Sequence, residues 1–103
     1  MNDTILDPAD CTTMADVRAG VDALDRDLVA LLARRFGYMR AAAAIKPSRA
    51  SVRDEARKAS VIAAAVAEAE RQGVPADVVA DLWERLVEGS IAYEFNEWDR
   101  IRG

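Results

Sequence analysis

VRAGVDALDRDLVALLARRFGYMRAAAAIK, residues 17–46, is the stretch on which the fold turns. Apolar residues fall at Val17, Val21, Leu24, Leu28 and Leu31, in steps of four and three, the stripe of one long amphipathic helix. Carried forward, the same rhythm reaches Arg35, then Tyr38, Ala42 and Ile45. A charged side chain thus occupies a slot that should be core. Lys46 lies almost three turns beyond Arg35, on the same face and about 16 Å further along. Met39, Ala42 and Ala43 come between them on that face. Two cations at opposite ends of a strip of mostly small residues outline a cavity for a compact dianion. Arg18 is about 25 Å before Arg35 and turned by roughly 100°. It cannot reach the same pocket from the same helix, so whatever it binds lies elsewhere, a neighbouring chain's pocket included.

The bulk numbers are consistent with this reading. A chain of 103 residues points to one domain, long enough to bury somewhat over about 60% of its unfolded surface. Apolar residues make up 51% and charged residues 31%, a globular rather than a disordered mixture. The net charge of −4 argues against a nucleic-acid partner, which needs a basic surface. Cys11 is the only cysteine, so no internal disulfide can form. No signal peptide, anchor or membrane-spanning run is evident, and the cytoplasm is the expected location. There is no histidine, the commonest metal ligand and general base, so the chemistry expected here needs neither.

Residues 1–11 are polar, contain Pro8 and lack a period; they read as a flexible leader to a helical domain over residues 12–103. Thr13 followed three residues later by Asp16 resembles a capping box, with Asp in place of the usual Glu or Gln. The first helix should run from about Met14 to Ile45 and stop there because Pro47 disfavours helical geometry at the residue before it. Gly20 interrupts it, where it could let another helix approach closely. Ser51 should cap a second helix, with Val52, Ala56, Ala59, Ile62, Ala63, Val66 and Ala69 on its apolar face. Gly73 ends it, and Pro75 starts a third over residues 76–100. Val79, Leu82, Trp83, Leu86, Ile91, Phe95 and Trp98 should form the buried side of that helix. The expected fold is all-α, one long helix and two shorter ones. The first would be about 48 Å long, against a diameter of roughly 35 Å for a compact chain of this size. Its Val and Leu stripe would overhang unless a second copy covered it. An intertwined homodimer is the simplest remedy, and it would let Arg18 enter the partner's pocket.

Ser90 and Glu94 are four residues apart, hence neighbours on one face of the third helix, in line with Leu82 and Leu86. Hydrogen-bonding groups in an apolar stripe need partners, and the Arg35–Lys46 face is the complement. Plainer explanations exist for each residue alone. Lys46 at a helix end favours the dipole. Arg57 is the kind of residue usually found solvated, Arg18 could pair with Asp22 across one turn, and Arg35 could form a structural ion pair with Glu94. It is the combination on facing helices that points to a site.

MADVRAGVDALDRDLVALLARR, the lysine of AIKPS, VRDEAR and SIAYE together resemble the all-helical chorismate mutase family and its relatives the isochorismate pyruvate lyases, over residues 11–102. The resemblance implies an interlocked homodimer of three-helix chains, with no metal or cofactor. It places Arg35, Lys46, Asp54, Arg57, Ser90 and Glu94 at active-site positions of one subunit, and matches Arg18 to an arginine given by the other. It implies a small dicarboxylate substrate, chorismate, rearranged to prephenate in a pericyclic step. Catalysis would come from holding the substrate in its reactive shape and stabilising charge on the ether oxygen. Arg18 and Arg35 would bind carboxylates, Arg57 and Ser90 would assist, and Lys46 and the side chain at position 94 would donate to the ether oxygen.

Three departures stand out. Position 94 is Glu where many bacterial members have Gln, and only a protonated carboxyl can donate a hydrogen bond. Turnover should therefore improve as the pH falls towards 5. Position 58 is Lys where some mutases place a Glu that receives the ring hydroxyl. The loop from Lys46 to Asp54 is about one residue shorter than in some mutases, as in the lyase branch. VRD at 52–54 and Ser90 resemble the mutase pattern; the loop length and the first helix resemble the lyase, which would eliminate pyruvate from isochorismate to leave salicylate. A third reading is a non-catalytic helical module for dimerisation or ligand sensing, which would bind without turnover.

Overall fold

The computed structural model describes residues 5–103. Among them it has no strand. A 3-10 turn at Pro8–Asp10 is followed by α1 (Met14–Ile45), a second 3-10 turn at Arg49–Val52, α2 (Glu55–Gln72) and α3 (Ala76–Ile101). The expected all-α architecture, one long helix and two shorter ones, is what the chain adopts. Two compact units divide it, the first ending at Phe36 and the second covering Gly37–Gly103. Helix α1 contributes to both.

In the first unit, α1 begins at the anticipated box. The Asp16 N–H donates to Thr13 Oγ1 at 3.1 Å, and Asp16 Oδ2 accepts from the N–H groups of Thr12 and Thr13 at 3.1 and 3.2 Å. Those donors, Thr12 first, hold the Asp16 carboxyl below its ordinary range. An aspartate therefore closes the box as a glutamate would. The first four residues of the expected leader lie outside the described residues. Of the rest, Ile5 lies over Gly20, where an added Cβ would meet its Cγ2 at 3.9 Å. Along α1 the apolar stripe is open in the single chain: Leu24, Leu28 and Leu31 are 61%, 56% and 57% exposed.

The second unit holds the core. Val52, Val87 and Ile91 are buried together, with Val61, Ile62, Trp83, Phe95 and Trp98 packed around them. Helix α2 ends at Gly73, which takes the left-handed conformation (φ 73°) that a side chain would resist. The N–H of Val74 then reaches back to the Ala69 carbonyl at 2.8 Å.

Two expectations need correction here. The cap of α2 is Asp54, whose carboxylate accepts from the Arg57 N–H at 2.9 Å, and not Ser51. Ser51 lies in the preceding 3-10 turn, its hydroxyl donating to the Ser48 carbonyl at 2.6 Å. Val52 anchors that turn in the core, and the backbone runs extended through Arg53 and Asp54 before the helix can start. The buried sides keep most of the expected residues, among them Val79, Trp83, Ile91, Phe95, Trp98, Val52, Ile62 and Ala69, but depart from them at several positions. Leu82 is 55% exposed, while Val87 takes a core place, and Ala56, Ala59 and Ala63 on α2 are exposed while Val61 packs on the core. The core-facing stripe on α3 runs through Val79, Trp83, Val87 and Ile91 rather than through Leu82.

Candidate active site

Lys46 is the first residue past α1, its N–H still donating to the Ala42 carbonyl at 2.9 Å. Its stem runs towards α3, and Nζ lies 2.7 Å from Oε2 of Glu94. Glu94 is 4% exposed. The contact is an ion pair without hydrogen-bond alignment: Oε2 has no hydrogen-bond partner among the described residues, while Nζ also approaches the Val52 carbonyl at 3.4 Å. A buried carboxylate beside a half-buried ammonium is stable only while both are present, because removing one leaves the other charge uncompensated. One turn earlier on α3, Ser90 is buried and donates to the Leu86 carbonyl at 2.7 Å. Lys46, Ser90 and Glu94 are thus brought together in the second unit.

Asp54 and Arg57 meet at the start of α2 through the cap, and both are exposed in the single chain. Arg18 and Arg35 belong to the first unit; Arg18 is exposed, and Arg35 is half-buried and engaged in an interaction. Lys58 turns away to α3, where Nζ lies 2.7 Å from Glu84 Oε2 and 2.8 Å from Glu88 Oε2. Arg53 grips the same Glu88 with two bonds, 2.8 and 3.1 Å. Arg53 first, then Lys58, hold the Glu88 carboxyl down to about 2, and Glu84 and Glu88 push the Lys58 ammonium up. This network flanks Asp54 and Arg57 on both sides in the chain and ties their turn to α3.

Three contacts escaped the sequence reading. Arg40 Nη1 donates to the Tyr93 hydroxyl at 2.9 Å. The indole N–H of Trp98 donates to the Lys46 carbonyl at 3.1 Å. Arg102 reaches the carbonyls of Ala43 and Lys46, each at 3.0 Å. The four-residue spacing of Trp98 and Arg102 was the available signal, since it puts both on one helical face. Among the described residues no group of His, Cys, Asp and Glu side chains is gathered to hold a metal ion, and no helix is long and apolar enough to cross a membrane.

Chemically, the arrangement offers an ammonium and a carboxyl side by side, largely shielded from water, with a serine hydroxyl one turn away. Such a pair can present two donors to one oxygen if the carboxyl is protonated, and one donor if it is not.

Residues 17–95 match the family model described as chorismate mutase type II. A protein of Pseudomonas aeruginosa named isochorismate pyruvate lyase is 34% identical over 96 residues, spanning 93% of this chain and 95% of that relative.

Proposed function

The chain belongs to the chorismate mutase type II family, and from that premise we propose that it is a chorismate mutase, converting chorismate to prephenate. The supporting observation is the Lys46–Glu94 pair, between the end of α1 and α3, with its carboxylate buried on α3 and its ammonium half-buried. A pericyclic rearrangement forms no bond to the protein, so the side chains act by holding the folded substrate and stabilising charge on its ether oxygen. In this reading Lys46 and a protonated Glu94 donate to that oxygen. Arg35 and the partner subunit's Arg18 bind the carboxylates, bidentate geometry suiting arginine. Arg57 assists, its turn fixed by Asp54. Ser90 spends its one donor on Leu86; to donate to a substrate it must release that bond.

The homodimer is part of the proposal. Among the described residues no large side chain is fully buried, and the Leu stripe of α1 stands open. A second copy laid along α1 would cover that stripe and bring the partner subunit's Arg18 to each site.

The relative's name favours a second reading, elimination of pyruvate from isochorismate in the same site. Ser90 and VRD at 52–54 keep the mutase reading first. Purified protein assayed on both acids by ultraviolet absorbance separates them: a larger kcat/KM on chorismate is expected. A larger value on isochorismate makes the chain a lyase, and tight binding without turnover makes it a sensing module.

A further inference from the structure

We infer that Trp98 and Arg102 are positioning residues for Lys46, a role that rests on Lys46 acting as proposed above. The last carbonyls of a helix have no intrahelical donors, and Pro47 supplies no N–H to help them. Arg102 fills the gap. Its Nη1 donates to the Ala43 carbonyl at 3.0 Å and its Nη2 to those of Lys46 at 3.0 Å and Ala44 at 3.4 Å. The guanidinium also complements the negative end of α1 and lies 4.2 Å over the Trp98 ring. Trp98 gives the Lys46 carbonyl a second donor. One turn earlier on α3, Glu94 holds the Lys46 ammonium.

Lys46 is therefore gripped at both ends by the last turns of α3 and the residue that caps them, its peptide by Trp98 and Arg102 and its charge by Glu94. Those turns are themselves fixed to the following loop by Arg49, which makes two bonds to Asp99 and stacks over Phe95. A lysine stem is flexible. Pinning its backbone is what makes the ammonium return to one place, and a displacement of about 1 Å can cost on the order of a hundredfold in rate.

The test uses the full chain with Arg102→Ala, Arg102→Lys and Trp98→Phe, each alone and combined with Lys46→Ala. Arg102→Ala is expected to lower kcat roughly tenfold with a smaller change in KM, and Arg102→Lys to recover part of the loss. In the Lys46→Ala background Arg102→Ala should cost nothing further, since coupled residues are not additive. The Lys46 side-chain nitrogen signal, followed by NMR, should move in Arg102→Ala and Trp98→Phe. An undiminished fall in the Lys46→Ala background, or an unmoved Lys46 signal, overturns the inference. If the unmodified protein turns over neither acid, the proposed function fails, and the Lys46 signal alone decides the positioning role. Should Arg102→Ala not fold, Trp98→Phe, which keeps an aromatic side chain but replaces the indole by a smaller ring without the N–H, carries the same comparison.

Discussion

At the scale of the residue, Glu94 decides how the site behaves. As a carboxylate it neutralises Lys46 and can only accept; as an acid it donates and leaves the ammonium free for a substrate oxygen. Glu94→Gln, whose amide can donate whatever the pH, is expected to raise the rate at neutral pH. A Gln variant slower than the unmodified protein would remove Glu94 as the ether donor. Lys46→Ala should lower kcat/KM by about a hundredfold or more and also lower the melting temperature, because Glu94 is left buried without its counter-charge. That the face carrying Glu94 needed a polar complement was legible from the helical rhythm, which offered the Arg35–Lys46 face and Arg35 as the ion-pair partner; Lys46 in that place came from the family resemblance. The Trp98 and Arg102 contacts were not legible. They depend on where α3 ends relative to α1, a tertiary distance that periodicity does not encode.

At the scale of the element, the start of α2 is the sensitive joint. Asp54→Ala removes the cap and should cost about 1 kcal/mol of stability, while Asp54→Asn should restore most of it. The joint is also tied to α3 by Glu88. Its folded carboxyl titrates at about 2, against an ordinary value of 4.5, because of Arg53 and Lys58. A depressed folded value means the contribution is complete above about 4.5 and is lost as the pH falls through about 2. The melting-temperature gap between the unmodified chain and Glu88→Gln should accordingly be full at pH 6 and closed near pH 2; a gap independent of pH would contradict the pairing. Helix existence was readable throughout: the Thr13–Asp16 box, Pro47 and Gly73 are local signals and act locally. The cap of α2 was misplaced because Ser51 and Asp54 are both good cap residues. The choice was made by burial of Val52, a tertiary event. Leu82 was misassigned for a related reason, as an apolar residue on a helix reads alike whether it is buried in the core or left exposed.

At the scale of the whole molecule, the open apolar stripe of α1 is the outstanding feature. Burying one leucine is worth roughly 1.5–3 kcal/mol, so several left exposed are a strong drive towards association. Sedimentation should find a dimer at micromolar concentration, and Leu28→Glu should yield a monomer with lower stability and no turnover. A monomeric, active native chain would contradict this. The proposed sharing of the site has a sharper consequence. On that proposal Arg18→Ala would spoil the site of the neighbouring chain, whereas Lys46→Ala would spoil the site of its own. Each variant alone should be nearly inactive on chorismate. Mixed in equal amounts through unfolding and refolding, half of the dimers are mixed and each has one intact site, so activity should return to roughly a quarter of the unmodified value. A mixture no more active than its two parents would contradict a site built from two chains.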